Sequence, residues 1–191
     1  MQSFGSEVVS HNGLSFKKLY DEEKCERIID DIAQKINAFY HSLEQDTNDG
    51  KPIEVIALCL LKGAFMFYTD VVRRLNLKLV CDFVKISSYK GEQSTGEITI
   101  EGGFNFDKFK DKHILIIEDM ADTGLTLSKF RTLLLASQPK SLKIAVLVNR
   151  PDKPKDFPLD WIGLECSDFI IGYGLDYDQF GRTFPAIYQK V

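Results

Sequence analysis

The sequence predicts an α/β fold: a parallel, twisted core sheet flanked by helices, with a small hood subdomain over one end. Three observations carry this expectation. Apolar runs of strand length alternate with stretches whose apolar residues recur every three or four positions. The strand-like runs are unbroken rather than alternating, as in parallel strands covered on both faces. The 191 residues, 44% hydrophobic and 27% charged, are enough for one core that buries roughly two-thirds of the unfolded surface. This composition excludes disorder and collagen-like structure. No repeat, low-complexity tract or linker divides the chain, so a single domain over residues 1–191 is expected.

Residues 21 to about 43 read as an amphipathic helix. Cys25, Ile28, Ile29, Ile32, Ile36 and Phe39 fall three and four apart, Asp21 is a suitable N-cap, and the polar stretch 45–51 ends the pattern. A continuous apolar run at 53–61 reads as a strand, followed by Lys62-Gly63, a helical pattern over 65–75 and a second strand over 77–85. The unit recurs as strand 113–117, helix 125–136 and strand 142–148. The stretch to about Tyr20 and the tail after Pro151 hold only short strand-like pieces, at 161–164, 169–173 and 186–188. These are expected to join as the hood (1–20 and 151–191), leaving about 21–150 as the core.

Lys and Arg number 24 against 28 Asp and Glu, a formal charge of −4, so no basic excess draws the chain to nucleic acid or an anionic membrane. The apolar run at 55–61 is far shorter than the roughly 20 residues of a membrane helix. The N-terminal residues show no basic and apolar signal regions, and the C-terminal YQKV is not a peroxisomal signal, so a cytoplasmic location is expected. The four cysteines (Cys25, Cys59, Cys81, Cys166) and three histidines (His11, His41, His113) are scattered, indicating neither a zinc site nor a disulfide framework. Cys59 and Cys81 lie in apolar runs and read as buried thiols, which suits a reducing compartment.

The segment 114–127, ILIIEDMADTGLTL, carries the most chemistry. A hydrophobic strand ends in Glu118 and Asp119 and turns through Asp122, Thr123 and Gly124 into a helix. In open parallel sheets ligands bind at the carboxyl ends of strands. A glycine-containing turn at a helix N-terminus offers backbone N–H groups and the positive end of the helix dipole to a phosphate. Two carboxylates just before such a turn can accept hydrogen bonds from a ribose diol, so the spacing points to a ribose 5-phosphate. The plainer alternative makes Asp122 and Thr123 helix caps and the two acids a solvated strand end. Neither GxxxxGK[ST] nor GxGxxG occurs in the chain.

IIEDMADTGLT resembles the phosphoribosyl pyrophosphate (PRPP) motif of type I phosphoribosyltransferases, in the EDxxDTG form of their hypoxanthine-guanine branch. The likeness spans most of the chain in the family's order. LKG at 61–63 is similar to the pyrophosphate loop, SSYKGEQSTG at 87–96 to the mobile lid, and DFIIGYGLDYDQFGR at 168–182 to the purine and pyrophosphate segment.

The resemblance implies that Glu118 and Asp119 hold the ribose hydroxyls and that Asp122, Thr123, Gly124, Leu125 and Thr126 wrap the 5-phosphate. Asp122 would also be the catalytic base facing purine N7. It further implies that Lys62, Gly63 and Arg182 bind pyrophosphate, with a non-proline cis peptide between Leu61 and Lys62. Phe169 would stack on the purine, the backbone of Ile170 would meet its edge, and Ser88 and Tyr89 would fold over PRPP. Asp176, with Glu118 and Asp119, would hold Mg²⁺, which helps neutralise the leaving pyrophosphate. The lid would keep water from an oxocarbenium-like ribose.

One position departs from the family pattern. Where a lysine usually donates to the purine 6-oxo group, the strand alignment puts Arg150, within VNRPDKP; Lys153 and Lys155 are nearby alternatives. A guanidinium is a planar fork with a longer reach, so the exchange bears on base specificity. The expected activity is transfer of the 5-phosphoribosyl group to N9 of a 6-oxopurine. Hypoxanthine, guanine and, as a further acceptor, xanthine would give IMP, GMP or XMP and pyrophosphate. A xanthine-preferring enzyme of the same fold and a non-catalytic nucleotide-sensing regulator are the rival readings. A homodimer or homotetramer is expected from the family.

Overall fold

The computed structural model describes residues 5–46, 52–88, 98–102 and 104–191. Strands β1 (Val8–His11) and β2 (Leu14–Tyr20) lead into helix α1 (Glu22–Asp46), then β3 (Glu54–Leu61), α2 (Phe65–Val72) and β4 (Lys78–Ser88). A short β5 (Ile98–Ile100) and a 3-10 turn at Asp107–Phe109 precede β6 (His113–Ala121), α3 (Leu125–Ala136) and β7 (Ser141–Asn149). The chain ends with β8 (Trp161–Glu165), β9 (Ile170–Ile171) and β10 (Ile187–Lys190).

The core is a six-stranded sheet in the order β5-β4-β3-β6-β7-β8, parallel except for antiparallel β5 at one edge. Helix α1 starts as its sequence dictates: the Asp21 carboxylate accepts the Lys24 N–H at 2.8 Å, satisfying a first-turn donor. Its buried stripe of Cys25, Ile29, Ile32, Ile36 and Tyr40 joins Phe67 and Val71 of α2 on one face of the sheet. Leu127, Phe130 and Leu134 of α3 cover the other. Each such side chain contributes about 1.5–3 kcal/mol by leaving water. Because both faces are covered, β3, β6 and β7 are apolar without alternation.

The two chain ends meet in the expected hood, a four-stranded antiparallel sheet ordered β1-β2-β10-β9. Its first hairpin closes through Asn12 and Gly13, at φ 46° and 77°, the positive-φ pair that a two-residue turn requires.

Three features differ from the sequence reading. Trp161–Glu165 pairs in parallel with β7 and belongs to the core sheet, not the hood. Gly163 makes this possible: a β-carbon there would lie 2.7 Å from Leu147 O and 2.8 Å from Ile28 Cγ2, so only a glycine lets α1 and β7 approach so closely. Cys81 is exposed rather than buried: it lies on the first part of β4, which among the described residues is not paired by β5, whose register covers Ile86, Ser87 and Ser88; Cys59, on central β3, is buried. The β5 strand itself is too short to show a sequence pattern. Among the described residues no helix is long and apolar enough to cross a membrane.

Candidate active site

Strands β3, β6 and β7 lie side by side and point the same way, so their carboxyl ends share one rim. The turns that leave these ends carry the predicted residues, and the 168–182 segment of the hood closes over them. After β3 the chain turns tightly, with the Phe65 N–H donating to Lys62 O at 3.3 Å. The Leu61–Lys62 peptide is cis, as the resemblance implied. The turn rests on β6: a β-carbon on Gly63 would sit 1.8 Å from Asp119 Oδ2.

Strand β6 runs on to Ala121, which places Glu118 and Asp119 within the strand rather than beyond it. Glu118 Oε1 accepts the Asp119 N–H at 3.1 Å. Burial, then a hydrogen bond with the Asp119 side chain and its negative charge, push the Glu118 carboxyl well above the usual carboxylate range. The Glu118 carboxyl is thus held toward its protonated form, in which it can donate to a diol as well as accept from it.

Gly124, at φ 75°, is the N-cap of α3, and no side-chain cap closes the helix there. The first N–H groups of the helix, at Leu125, Thr126 and Leu127, therefore have no carbonyl one turn back; Leu125 N–H leans on Thr123 Oγ1 at a long 3.4 Å. This argues against Asp122 and Thr123 as mere caps and leaves an anion-ready turn. A β-carbon on Gly124 would meet Lys155 Cγ at 2.9 Å, so the turn is packed as well as left-handed.

A cavity of about 230 Å³ is lined by Asp119, Met120, Asp122, Arg150, Asp168, Phe169, Ile170, Leu175 and Asp176. Phe169 is 43% exposed and backed by Phe16 and Tyr177 at ring separations of 6.2 and 5.8 Å, so it is a cavity wall and not a core aromatic. Ile170 is buried in β9, and the preceding carbonyl, of Phe169, accepts the Lys190 N–H at 2.9 Å. Arg150 is placed by β7: its N–H bonds Ala121 O at 3.2 Å, and its guanidinium donates to Ser167 O. Arg150 Nε stands 3.5 Å from Asp122 Oδ1 and 3.6 Å from Asp152 Oδ1, but no hydrogen bond satisfies it.

The cation closest to Asp122 is Lys153, whose Nζ is 2.6 Å from Oδ1. Sequence reasoning offered Lys153 only as a substitute purine donor and missed this pair. Lys155 points away, bonding Asn149 Oδ1 at 2.8 Å and Arg150 O at 2.7 Å. Met120, Asp168 and Leu175 were also missed as lining residues. Asp168 and Leu175 belong to a segment read as functional, but only packing shows which of its side chains face the cavity.

Arg182 and Asp176 form an ion pair, Nη2 to Oδ1 at 2.6 Å, and Arg182 Nη1 donates to Gly174 O at 2.8 Å. Arg182 Nε is buried and makes no hydrogen bond. Among the described residues no group of three or more His, Cys, Asp or Glu side chains converges to hold a metal, so Asp176, Glu118 and Asp119 do not form a preformed ion cage. Asp119 and Asp176 line the same cavity, and one or two carboxylates together with substrate phosphates are a donor set that suits magnesium. Of the predicted lid, Ser88 ends β4, while Tyr89 and the rest of the segment to residue 96 lie outside the described residues.

Known proteins resemble this chain in sequence and fold. The sequence model of the phosphoribosyl transferase domain matches residues 15–178. The chain is 37% identical over 179 residues to a hypoxanthine-guanine phosphoribosyltransferase of Aquifex aeolicus, covering 92% of this chain and 95% of that protein. Among solved structures it resembles a hypoxanthine phosphoribosyltransferase from Staphylococcus aureus, with a TM-score of 0.78 and 32% identity over 91% of this chain and 90% of that one. It also resembles the Trypanosoma cruzi enzyme in complex with the product IMP, with a TM-score of 0.80 and 29% identity over 95% and 96% of the two chains. Sequence and fold agree, and the chain belongs to the phosphoribosyl transferase family, in its hypoxanthine-guanine branch.

Proposed function

We propose that this purine-salvage transferase moves the 5-phosphoribosyl group of PRPP to N9 of hypoxanthine or guanine, with xanthine as a further acceptor. The observation that carries the reading is one cavity, lined by Asp119, Asp122, Arg150, Phe169 and Asp176, beside the uncapped start of α3. In this reading Glu118 and Asp119 receive the ribose hydroxyls, and the 122–126 turn takes the 5-phosphate. The purine lies against Phe169 and Ile170, with Arg150 donating to its 6-oxo group. The C1–O bond to pyrophosphate breaks as the C1–N9 bond forms, and Asp122 accepts the proton from N7. Lys62, Gly63 and Arg182 draw the leaving group away.

Mg²⁺, held by Asp176 with Glu118 or Asp119, would supply positive charge to the pyrophosphate oxygens. A nucleotide sensor has no use for leaving-group residues, and the Arg182–Asp176 pair beside the cavity disfavours that alternative.

We further assign the chain to the cytoplasm as one catalytic domain, which its unpaired cysteines suit. Association with a second copy is supported by the open part of β4, where Val80 and Phe83 are 44% and 53% exposed on opposite faces of the strand.

Purified protein with PRPP, Mg²⁺ and, in parallel, hypoxanthine, guanine, xanthine and adenine, with nucleotide and pyrophosphate followed together, tests the activity. Turnover of 6-oxopurines and not adenine is expected. Absence of turnover with every base overturns it. Asp122→Asn should lower kcat by about 10²- to 10⁴-fold, the range of a positioned general base.

A further inference from the structure

Tyr173 lies in the hood between two glycines that have no room for a side chain. A β-carbon on Gly172 would sit 2.0 Å from Ala186 O, and one on Gly174 would sit 2.1 Å from Gly63 O. Tyr173 itself is 4% exposed and held at φ 50°, a conformation that a bulky residue adopts only where its surroundings enforce it. Its N–H donates to Phe184 O at 2.9 Å, and its hydroxyl donates to the Asp70 carboxylate on α2.

Asp70 is an anchored partner. Its helix begins directly after the 62–64 turn. Arg74 ties that helix to α1 through Nε and Asp30 Oδ1 at 2.5 Å, and donates back to Asp70 O at 3.0 Å. The hood segment is therefore attached at two consecutive residues to the same unit: by the Tyr173 side chain to α2, and by the Gly174 backbone to the turn that precedes α2. Gly174 in turn receives Arg182 Nη1 on its carbonyl at 2.8 Å and donates its N–H to Arg182 O at 2.8 Å. A shift of Tyr173 would move Gly174 off Gly63 and carry with it the guanidinium that pairs with Asp176.

We propose that Tyr173 is a positioning residue for leaving-group binding, its bond to Asp70 seating Gly174 on Gly63 and thereby aiming Arg182 at the pyrophosphate. This rests on the transferase reading above. Neither Tyr173 nor Asp70 lines the cavity, so the effect is indirect and should appear as a split between substrates.

In Tyr173→Phe, KM for PRPP and the calorimetric Kd for pyrophosphate in Mg²⁺ should each rise by about tenfold, while KM for hypoxanthine and kcat stay within about twofold of wild type. Asp70→Asn, which keeps an acceptor oxygen, should recover most of the PRPP affinity. Asp70→Ala removes the partner from the helix side and should reproduce the split, so it decides the matter should Tyr173→Phe not fold. PRPP KM and pyrophosphate Kd within twofold of wild type in the folded variant overturn the proposal, as does a uniform loss of kcat with both KM values unchanged, the sign of a purely structural role. If wild-type protein neither turns over 6-oxopurines nor binds pyrophosphate, it is the transferase reading that fails.

Discussion

The α-carbon of Gly63 lies against the carboxylate of Asp119, so closely that a β-carbon would stand 1.8 Å from Oδ2. The 62–64 turn after β3 and the acid pair Glu118–Asp119 of β6 are thus one packed unit. Gly63 serves here by lacking a side chain rather than by adopting a glycine-only φ.

Gly63→Ala should displace the Asp119 carboxylate, a movable side-chain end, and leave the fold intact. A displacement on the order of 1 Å in such a site costs about 100-fold in kcat/KM for PRPP. The Gly63→Ala and Asp119→Ala double mutant should lose little more than either single variant, since both remove the same contact. Steady-state kinetics with PRPP varied checks this, and additive losses would separate the two residues.

Arg150 is pinned by Ser167 O and by Ala121 O at the end of β6, not loose on the surface. Its charge beside the cavity should reject adenine, because a permanent donor facing an amino group leaves both unsatisfied. Arg150→Ala should narrow the hypoxanthine-over-adenine ratio of kcat/KM by about tenfold or more. An unchanged ratio would pass the specificity role to Lys153.

Glu118 has a folded-state pKa raised above its unfolded value, chiefly by burial. The sign follows: the native state holds this proton more tightly. The associated stability is complete below the unfolded value of about 4.3 and is lost as pH rises through the raised folded value. Glu118→Gln cannot ionise, so its Tm should fall less between about pH 5 and 8 than that of wild type. Thermal melts across that range, with no ligand present, report the difference; parallel curves would mean that Glu118 is already ionised in the fold.

Burial pushes the thiols of Cys25 and Cys59 up to about 12, and the charges of Glu118 and Asp119 add to the shift at Cys59. Cys81 is exposed. In native protein at pH 8, a thiol reagent should modify Cys81 quickly and leave Cys25 and Cys59 unmodified until the chain unfolds. Peptide mapping of the labelled sites checks the assignment, and early labelling of Cys59 would show that the β3 core opens readily.

Elements whose signal is local were legible in the sequence. Helix α3 runs over 125–136 as read, because a glycine turn, an apolar period and a polar stop all lie within a few residues of one another. Strands β3, β6 and β7 were evident as unbroken apolar runs, and the acid pair and turn at their rim were visible as a motif. The hood was legible only in outline: its pieces are short, and the run that became β8 looks the same whether it joins the hood or the core sheet.

What the sequence by itself determined is therefore the alternation of strands and helices and the chemistry gathered at the strand ends, since periodicity and turn chemistry act over a few residues. The tertiary structure alone decided that Gly63 lies on Asp119, that Lys153 pairs with Asp122, that Tyr173 reaches Asp70, and that Cys81 faces solvent. Each depends on sheet register or on which strand edge is left unpaired. These are set by how the whole core packs, and no window of sequence contains them.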